Sequence, residues 1–476
     1  MLQNTLLERL VSTVPTQRHL DWHELEFYAF IHFGINNFYD REWGNGKEDP
    51  AKFDPSELDT DQWVQTIKSA GMKAVILTCK HHDGFCLWPS AYTEFSIKSS
   101  PYQKGKGDIV KALSESCQKY DMKFGVYLSP WDQNNEAYGD SERYDDYFIK
   151  QMTELLTNYG PIFSVWFDGA CGEGPNGKKQ IYDWKRYYAC IRELQPNAVI
   201  NISGPDIRWC GNEAGHCRTS EWNVVPSRLA DTSYVAENSQ QADDEAFRER
   251  PITSLDEDLG SQEVLKDEKD FIWYPAEVDT SIRPGWFYHK HEDDQVKSLE
   301  KLLEIYYNSV GGNASLLLNI PVDNRGLIHE NDAKRLAELG QYIQAAFASN
   351  VAPTSKVSSN CETQEAYAVE NVLTQDTTYF KPATNQAQVT LSFEFDKAYV
   401  INHVVLQEQL TESQRIESFE VWAEQKGQME KVYTSTVVGS RRICKFDAVT
   451  TEKIEVRITD SRIYPTLKFV GIYEAN

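Results

Sequence analysis

Between residues 27 and 347 the chain alternates continuous apolar runs with amphipathic stretches, and few folds accept that order. FYAFIHFG (27–34), MKAVILTCKHH (72–82), KFGVYLSPW (123–131), FSVWFDG (163–169) and AVINISG (198–204) read as strands buried on both faces. Between them lie DTDQWVQTIKSAG (59–71), DIVKALSESCQKYD (108–121), ERYDDYFIKQMTELLTNYG (142–160) and QIYDWKRYYACIRELQP (180–196). Their apolar residues recur at helical spacing, and Asp, Gly or Pro marks their ends. Such a series needs a parallel sheet covered by helices. TSEWNVVP (219–226) and PAEVDTSI (275–282) are expected to continue it as strands. A helix over 293–309, the strand ASLLLNIPV (314–322) and a helix over 331–347 complete it. The count is near eight βα units, which favours a (β/α)8-like barrel over a doubly wound sheet.

The texture changes near residue 350. NVAPTSKVSSN is a polar, turn-rich linker. Beyond it, QVTLSFEF, VINHVVLQEQ, SFEVWAEQ, EKIEVRITD and LKFVGIYE alternate with period two. An α/β barrel over residues 1–348 followed by an antiparallel β-sandwich over 349–476 is the expected architecture.

Charge narrows the partners. Lys and Arg number 48 against 72 Asp and Glu, a net charge of −24. Such a surface repels phosphate backbones, so nucleic acid is not an expected partner. There is no run of 18 apolar residues, so membrane insertion is not expected either. The opening MLQNTLLERLVSTVPTQRHLDW lacks a basic segment followed by an apolar core. The expectation is a cytoplasmic chain, or an exported one whose leader is already gone. The nine cysteines show no CxxC spacing and read mainly as buried thiols.

In a barrel of this kind, catalytic groups collect at the C-terminal ends of the strands. The first strand ends in His32, the second in His81, His82 and Asp83, the third in Tyr127, Trp131 and Asp132, and the fourth in Trp166 and Asp168. Each alone has a bland reading. His32 could be a core histidine, Trp131 and Trp166 could be core, and Asp132 could cap a helix. His81 and His82 should point to opposite sides if the pleat holds. Their convergence on one pocket is the stronger signal.

The residue types limit the chemistry. HxH, or HExxH on a helix, would mark a metal site more strongly than His32, His81 and His82 do beside Trp and Tyr, and no GxSxG elbow marks a nucleophilic serine. Neither metal nor cofactor is expected. Carboxylate chemistry on a sugar remains, with two carboxyl groups flanking a glycosidic bond and aromatic walls for the ring.

IHFG (31–34), REWG (41–44), KHHDGF (80–85), GVYLSPWD (125–132), VWFDG (165–169), RPGWFYH (283–289) and LLLNIPVDNRGLI (316–328) together resemble the α-L-fucosidases of glycoside hydrolase family 29. The resemblance covers most of residues 20–345. It implies a barrel followed by a β-sandwich, the sugar L-fucose and a retaining mechanism with Asp168 as nucleophile. It implies that His32, His81, His82, Glu42 and Trp43 hold fucose hydroxyls and that Tyr127 and Trp166 line the site. Trp286 is a candidate wall for the fucose methyl group. RWCGNEAGHCRTSEWNVVP (208–226) resembles the subgroup selective for α-1,3/1,4-linked fucose on branched glycans. That implies Glu213 as acid/base, with Glu221 and Glu277 as rivals. The resemblance implies export to the periplasm or beyond, the leader presumed removed, with a cytoplasmic location as the alternative. The alternatives in function are a fucosidase of other or broad linkage specificity, a catalytically dead fucose-binding lectin on the same fold, and a metal-dependent hydrolase. The C-terminal unit resembles discoidin-like and carbohydrate-binding sandwiches, and either sugar binding or structural support is open to it.

Overall fold

A computed structural model describes residues 5–238 and 258–475. Eight parallel strands form one sheet in the order β5-β4-β3-β2-β1-β10-β9-β6. They are β1 (Phe27–Ile31), β2 (Ala74–Lys80), β3 (Lys123–Leu128), β4 (Ser164–Phe167), β5 (Val199–Ile202), β6 (Arg208–Trp209), β9 (Ala276–Ser281) and β10 (Ser315–Asn319). A bridge between Asn201 and Ile207 brings the two ends of the sheet together, so the barrel is nearly closed. Six helices cover it: α3 (Thr60–Ser69), α4 (Ile109–Lys119), α5 (Ser141–Asn158), α6 (Trp184–Leu194), α7 (Leu299–Ser309) and α8 (Glu330–Ala346). Two shorter ones, α1 (Leu6–Ser12) and α2 (Gln17–His23), precede β1.

Local chemistry fixes the helix starts. Asp59 accepts from the Gln62 amide at 3.1 Å, and Asp108 accepts from that of Lys111 at 2.9 Å. Each thereby satisfies a donor that the first turn leaves open. Strand parity then sorts the apolar residues into two layers. Tyr28 and Phe30 of β1 point into the barrel, where Ile76, Tyr127, Trp166 and Leu317 meet them. Ala29 and Ile31 point outward, among Trp63, Ile67, Leu113, Leu155 and Leu336 from the helices.

Two expectations are corrected here. TSEWNVVP contributes no barrel strand: β7 (Val224–Pro226) pairs antiparallel with β8 (Phe271–Trp273) as a separate two-stranded ribbon. The sixth barrel strand is Arg208–Trp209, which follows β5 after a short turn with no helix between. Two residues are too few to carry a period, which is why the run is invisible in the sequence.

The C-terminal unit is a six-stranded antiparallel sheet of β11 (Lys356–Ser359), β12 (Val389–Gln407), β13 (Ile416–Gln425), β14 (Gln428–Ser435), β15 (Arg442–Ser461) and β16 (Phe469–Glu474). Val389, Leu391, Phe393 and Ile401 share a core with Val404 and Leu406. The change of parity coincides with a register shift between Ile401 and His403. That irregularity lets β12 keep one apolar face inward along its whole length. Among the described residues, no helix is long and apolar enough to cross a membrane.

One ion pair fastens α8 over the end of β9. Arg283 and Asp332 are fully buried; Nε of Arg283 donates to Asp332 at 2.9 Å, and a second nitrogen does so at 2.5 Å. Asp332→Ala leaves the guanidinium without its main counter-charge. It should lower the unfolding free energy by about 3–5 kcal/mol, read from urea denaturation.

Candidate active site

A cleft opens at the C-terminal ends of the barrel strands and encloses about 700 Å³ of empty space, its mouth included. His32, Glu42, Trp43, His81, His82, Trp166, Asp168, Glu213 and Trp286 line it. So do Phe30, Ile202, Trp209 and Asp279, which the sequence did not single out.

Asp168 follows β4 directly, at the rim of the barrel. Its two carboxylate oxygens are held separately. Oδ1 accepts from the Ala170 amide at 2.8 Å, and Oδ2 accepts from the Tyr127 hydroxyl at 2.9 Å. His82 Nε2 stands 3.7 Å from the same Oδ2. Burial first, and then the neighbouring Asp168, push the Tyr127 phenol well above its ordinary range, so it stays a donor.

Both neighbouring histidines reach the cleft, against the pleat expectation. β2 ends at Lys80, after a register shift between Thr78 and Lys80, so no pleat governs residues 81 and 82. Their rings lie 4.1 Å apart, and the His81 ring stacks 5.7 Å from that of Tyr127. His82 Nδ1 is 2.7 Å from the Ser129 hydroxyl, which itself donates to the Trp131 carbonyl. Ser129 therefore accepts, and His82 carries its proton on Nδ1 when neutral. Burial lowers the pKa of both rings, and Asp168 partly opposes this at His82.

His32 is fixed by the same logic. Asn319 Nδ2 donates to the Ser281 hydroxyl at 2.9 Å and to the Trp286 carbonyl at 2.8 Å. Its oxygen therefore faces His32 Nδ1, 2.8 Å away, and must accept from it. Burial holds the His32 pKa at about 4, so the ring is neutral and Nε2 is an acceptor.

Glu42 accepts from the Trp286 and Phe287 amides at 2.9 and 3.1 Å, and it pairs with His289 at 2.8 Å. That couples the loop after β1 to the one after β9. Trp43 sits edge-on to both His82 and Trp131.

Trp131 backs Trp43 rather than lining the cleft, and its Nε1 donates to the Glu173 carbonyl at 3.1 Å. Asp132 lies further behind. It is fully buried and pairs at 3.0 Å with Lys80, which also reaches Gln151 of α5 at 3.0 Å. The structure gives Asp132 a counter-ion, not a place on the cleft wall.

The three candidate acids separate. Glu213 is on the cleft wall, where Trp286 Nε1 donates to it at 3.3 Å. Its loop follows the short β6. Glu221 is fully buried between Arg208 and Arg218, which hold its pKa below the ordinary range against its burial. It lies outside any strand. Glu277 is sealed in the barrel interior, accepting from Tyr28, from Trp166 at 2.7 Å and from Asn201 at 2.7 Å. Burial pushes its pKa up to about 7.

Asp279 is two residues beyond Glu277, on the same face of β9, and Trp209 Nε1 donates to it at 2.8 Å. Burial first, and then the neighbouring Glu213 and Glu277, push its pKa well up. Period two along PAEVDTSI was the signal that could have found it. β5 ends on Ile202 at φ +67°, where a β-branched residue is rare, and that side chain lines the cleft.

Two groups of potential metal ligands occur among the described residues. His81, His82 and Asp168 bring ligand atoms within 4.8 Å of one another, as do Asp40, His289 and His291. In the second group His289 is held by Glu42 and Asp40 as a cation, which disfavours ligation.

A near-closed parallel barrel with carboxylates on an aromatic cleft at its strand ends is the arrangement a glycoside hydrolase uses. The family model described as alpha-L-fucosidase matches residues 11–346, and the chain belongs to the α-L-fucosidase family, whose activity it shares. Alpha-L-fucosidase 1 of Arabidopsis thaliana is 37% identical over 97% of this chain and 87% of its own. A crystal structure from Bacteroides ovatus is 47% identical, covers 100% of this chain and 77% of that one, and has a TM-score of 0.85. A Ruminococcus gnavus GH29 fucosidase in complex with fucose is 27% identical, covering 98% and 95%, with a TM-score of 0.84.

His289 supplies a pH test. Its pKa is raised to about 9, chiefly by Glu42. A raised folded-state pKa contributes stability that is complete below about pH 6.5 and lost as pH rises through about 9. An NMR titration should place His289 near 9, and the unfolding free energy should fall over that window. In His289→Asn this part of the slope should vanish.

Proposed function

We propose that the chain is a retaining α-L-fucosidase that releases terminal fucose from α-1,3/1,4-fucosylated glycans by double displacement. Asp168 attacks the anomeric carbon, the glycosidic C–O bond breaks, and Glu213 gives its proton to the leaving oxygen. Glu213 then takes a proton from water, which attacks the same carbon and frees Asp168. The carrying observation is that Asp168 and Glu213 open on one aromatic-walled cleft. The rivals Glu221 and Glu277 are committed to buried partners. Glu42 is likewise held by two amides and a cationic histidine.

The cleft suits fucose chemically. Neutral histidines offer acceptors or donors to hydroxyl groups without fixing a charge against an uncharged sugar. Trp286, Trp43 and Phe30 give apolar faces. The bound fucose in the Ruminococcus gnavus relative supports the same sugar here. The linkage reading rests on the likeness of residues 208–226 to the branched-glycan subgroup.

Asp168→Asn keeps the shape but removes the attacking charge and one of the two accepting oxygens. Turnover should collapse while fucose still binds; near-normal turnover by the pure variant overturns the assignment. Glu213→Ala should lose about 10²–10⁴-fold on an oligosaccharide and far less on fucosyl fluoride, whose leaving group needs no proton. Added azide should restore turnover and yield α-fucosyl azide, because azide displaces Asp168 from the β-linked fucosyl-enzyme with a second inversion. In a panel of α-1,2, α-1,3, α-1,4 and α-1,6 fucosides, Lewis-type trisaccharides should be cleaved best. A preference for α-1,2 or α-1,6 linkages sinks the linkage reading.

A further inference from the structure

Residues 210–223 leave the barrel wall after β6, and their returning limb lies between the barrel, where Arg208 of β6 holds Glu221, and the C-terminal unit. The outgoing limb is tied to the barrel: the Cys210 amide donates to the Glu277 carbonyl at 3.0 Å. The tip, with Glu213, is folded on itself. Asn212 accepts from the Ala214 amide and donates to the His216 carbonyl, both at 3.0 Å. Gly211 and Gly215 stand at φ +102° and +92°, which side chains resist. Cys217 then touches α7 through the Asn308 carbonyl at 3.0 Å.

The returning limb is held from the other unit. The Thr219 carbonyl accepts from Arg442 at 3.2 Å and from Thr436 at 3.4 Å. The Ser220 and Thr436 hydroxyls are 2.7 Å apart. Gln414, fully buried, accepts from the Asn223 amide at 2.7 Å and donates to the Glu221 carbonyl at 3.4 Å. Asn313, just before β10, donates to that carbonyl at 2.7 Å while accepting from the Ser440 amide at 2.7 Å. Arg218 closes the loop at its neck, donating to the Cys210 carbonyl at 2.9 Å, and its own amide donates to Glu221 at 3.0 Å.

We infer that the C-terminal sheet is a positioning element of the acid/base step: Gln414, Thr436 and Arg442 hold the returning limb of the loop that presents Glu213. This rests on Glu213 being the acid/base. The neck at Arg218 transmits the hold, because Glu221 and Cys210 fix both limbs to one side chain. A proton donor displaced by about 1 Å loses most of its value, whereas an attacking carboxylate anchored on β4 keeps its own place. The sheet thus serves protonation of the leaving group and leaves the attack of Asp168 untouched.

The test compares Gln414→Leu with Thr436→Val/Arg442→Met, each checked for its melting temperature, on two substrates. One is the fucosylated oligosaccharide that the wild type cleaves best; the other is α-L-fucosyl fluoride. The expected result is a fall of about tenfold or more in kcat/KM on the oligosaccharide and about twofold or less on the fluoride. An equal fall on both substrates, or no change on either, overturns the inference. The double variant serves if Gln414→Leu does not fold. Glu213→Ala is run beside them. If it shows the leaving-group dependence and the sheet variants do not, the positioning role fails alone. If Glu213→Ala lacks it, the acid/base assignment fails and takes the inference with it.

Discussion

A carboxyl group shut inside an aromatic barrel is costly unless its oxygens are matched, and Glu277 is matched from three strands. Tyr28 of β1, Trp166 of β4 and Asn201 of β5 all donate to it from around the ring, while Glu277 itself belongs to β9. Trp22 in turn donates to the Tyr28 hydroxyl at 2.9 Å. One side chain thereby ties the two halves of the sheet across the interior. It also orients the cleft floor. With its Nε1 turned down to Glu277, the Trp166 indole stacks on Tyr127 at 5.4 Å. Tyr127 then reaches Asp168. The position of the attacking carboxylate is therefore set two contacts below the surface that meets substrate.

Above that floor the cleft is arranged to keep charge where it is used. Three histidines crowd the wall, and burial keeps them neutral; the titratable neighbour that is cationic, His289, lies behind Glu42. Two buried charges outside the cleft are matched by buried counter-charges, Lys80 by Asp132 and Arg283 by Asp332. Such pairs contribute little net stability against apolar replacements, yet losing one member is expensive. They are best understood as fixing which way strand ends and helices face.

Much of this was written in the sequence, for a physical reason. Strands β1 to β5 and β10 are long apolar runs, so burial on both faces leaves an unmistakable record, and the strand-end rule then located His32, Asp168 and their neighbours. What escaped was short or tertiary. β6 has two residues, so neither it nor its Trp209 had a pattern to show. Asp279 lies on one face of β9 with Glu277, and its partner Trp209 belongs to that unpatterned strand. Asp132 looked like a cleft residue because position along a strand does not reveal a buried lysine opposite. The phase of His81 and His82 could not be read either, since a pleat stops counting where its strand ends. Nothing in the separate texture of residues 349–475 announced that this sheet would grip a loop of the barrel.

The Asn319 amide has a consequence for what the cleft can distinguish. By donating both its hydrogens elsewhere, it compels His32 to spend its single ring proton inward. The nitrogen left on the cleft wall can only receive. It therefore recognises a hydrogen, not an oxygen. A hydroxyl meets that requirement. A methyl ether, an acetyl ester or a fluorine at the same carbon does not, even where it fits by volume. An alcohol capped on its oxygen has no hydrogen left to give this nitrogen, whatever the linkage of the sugar that carries it.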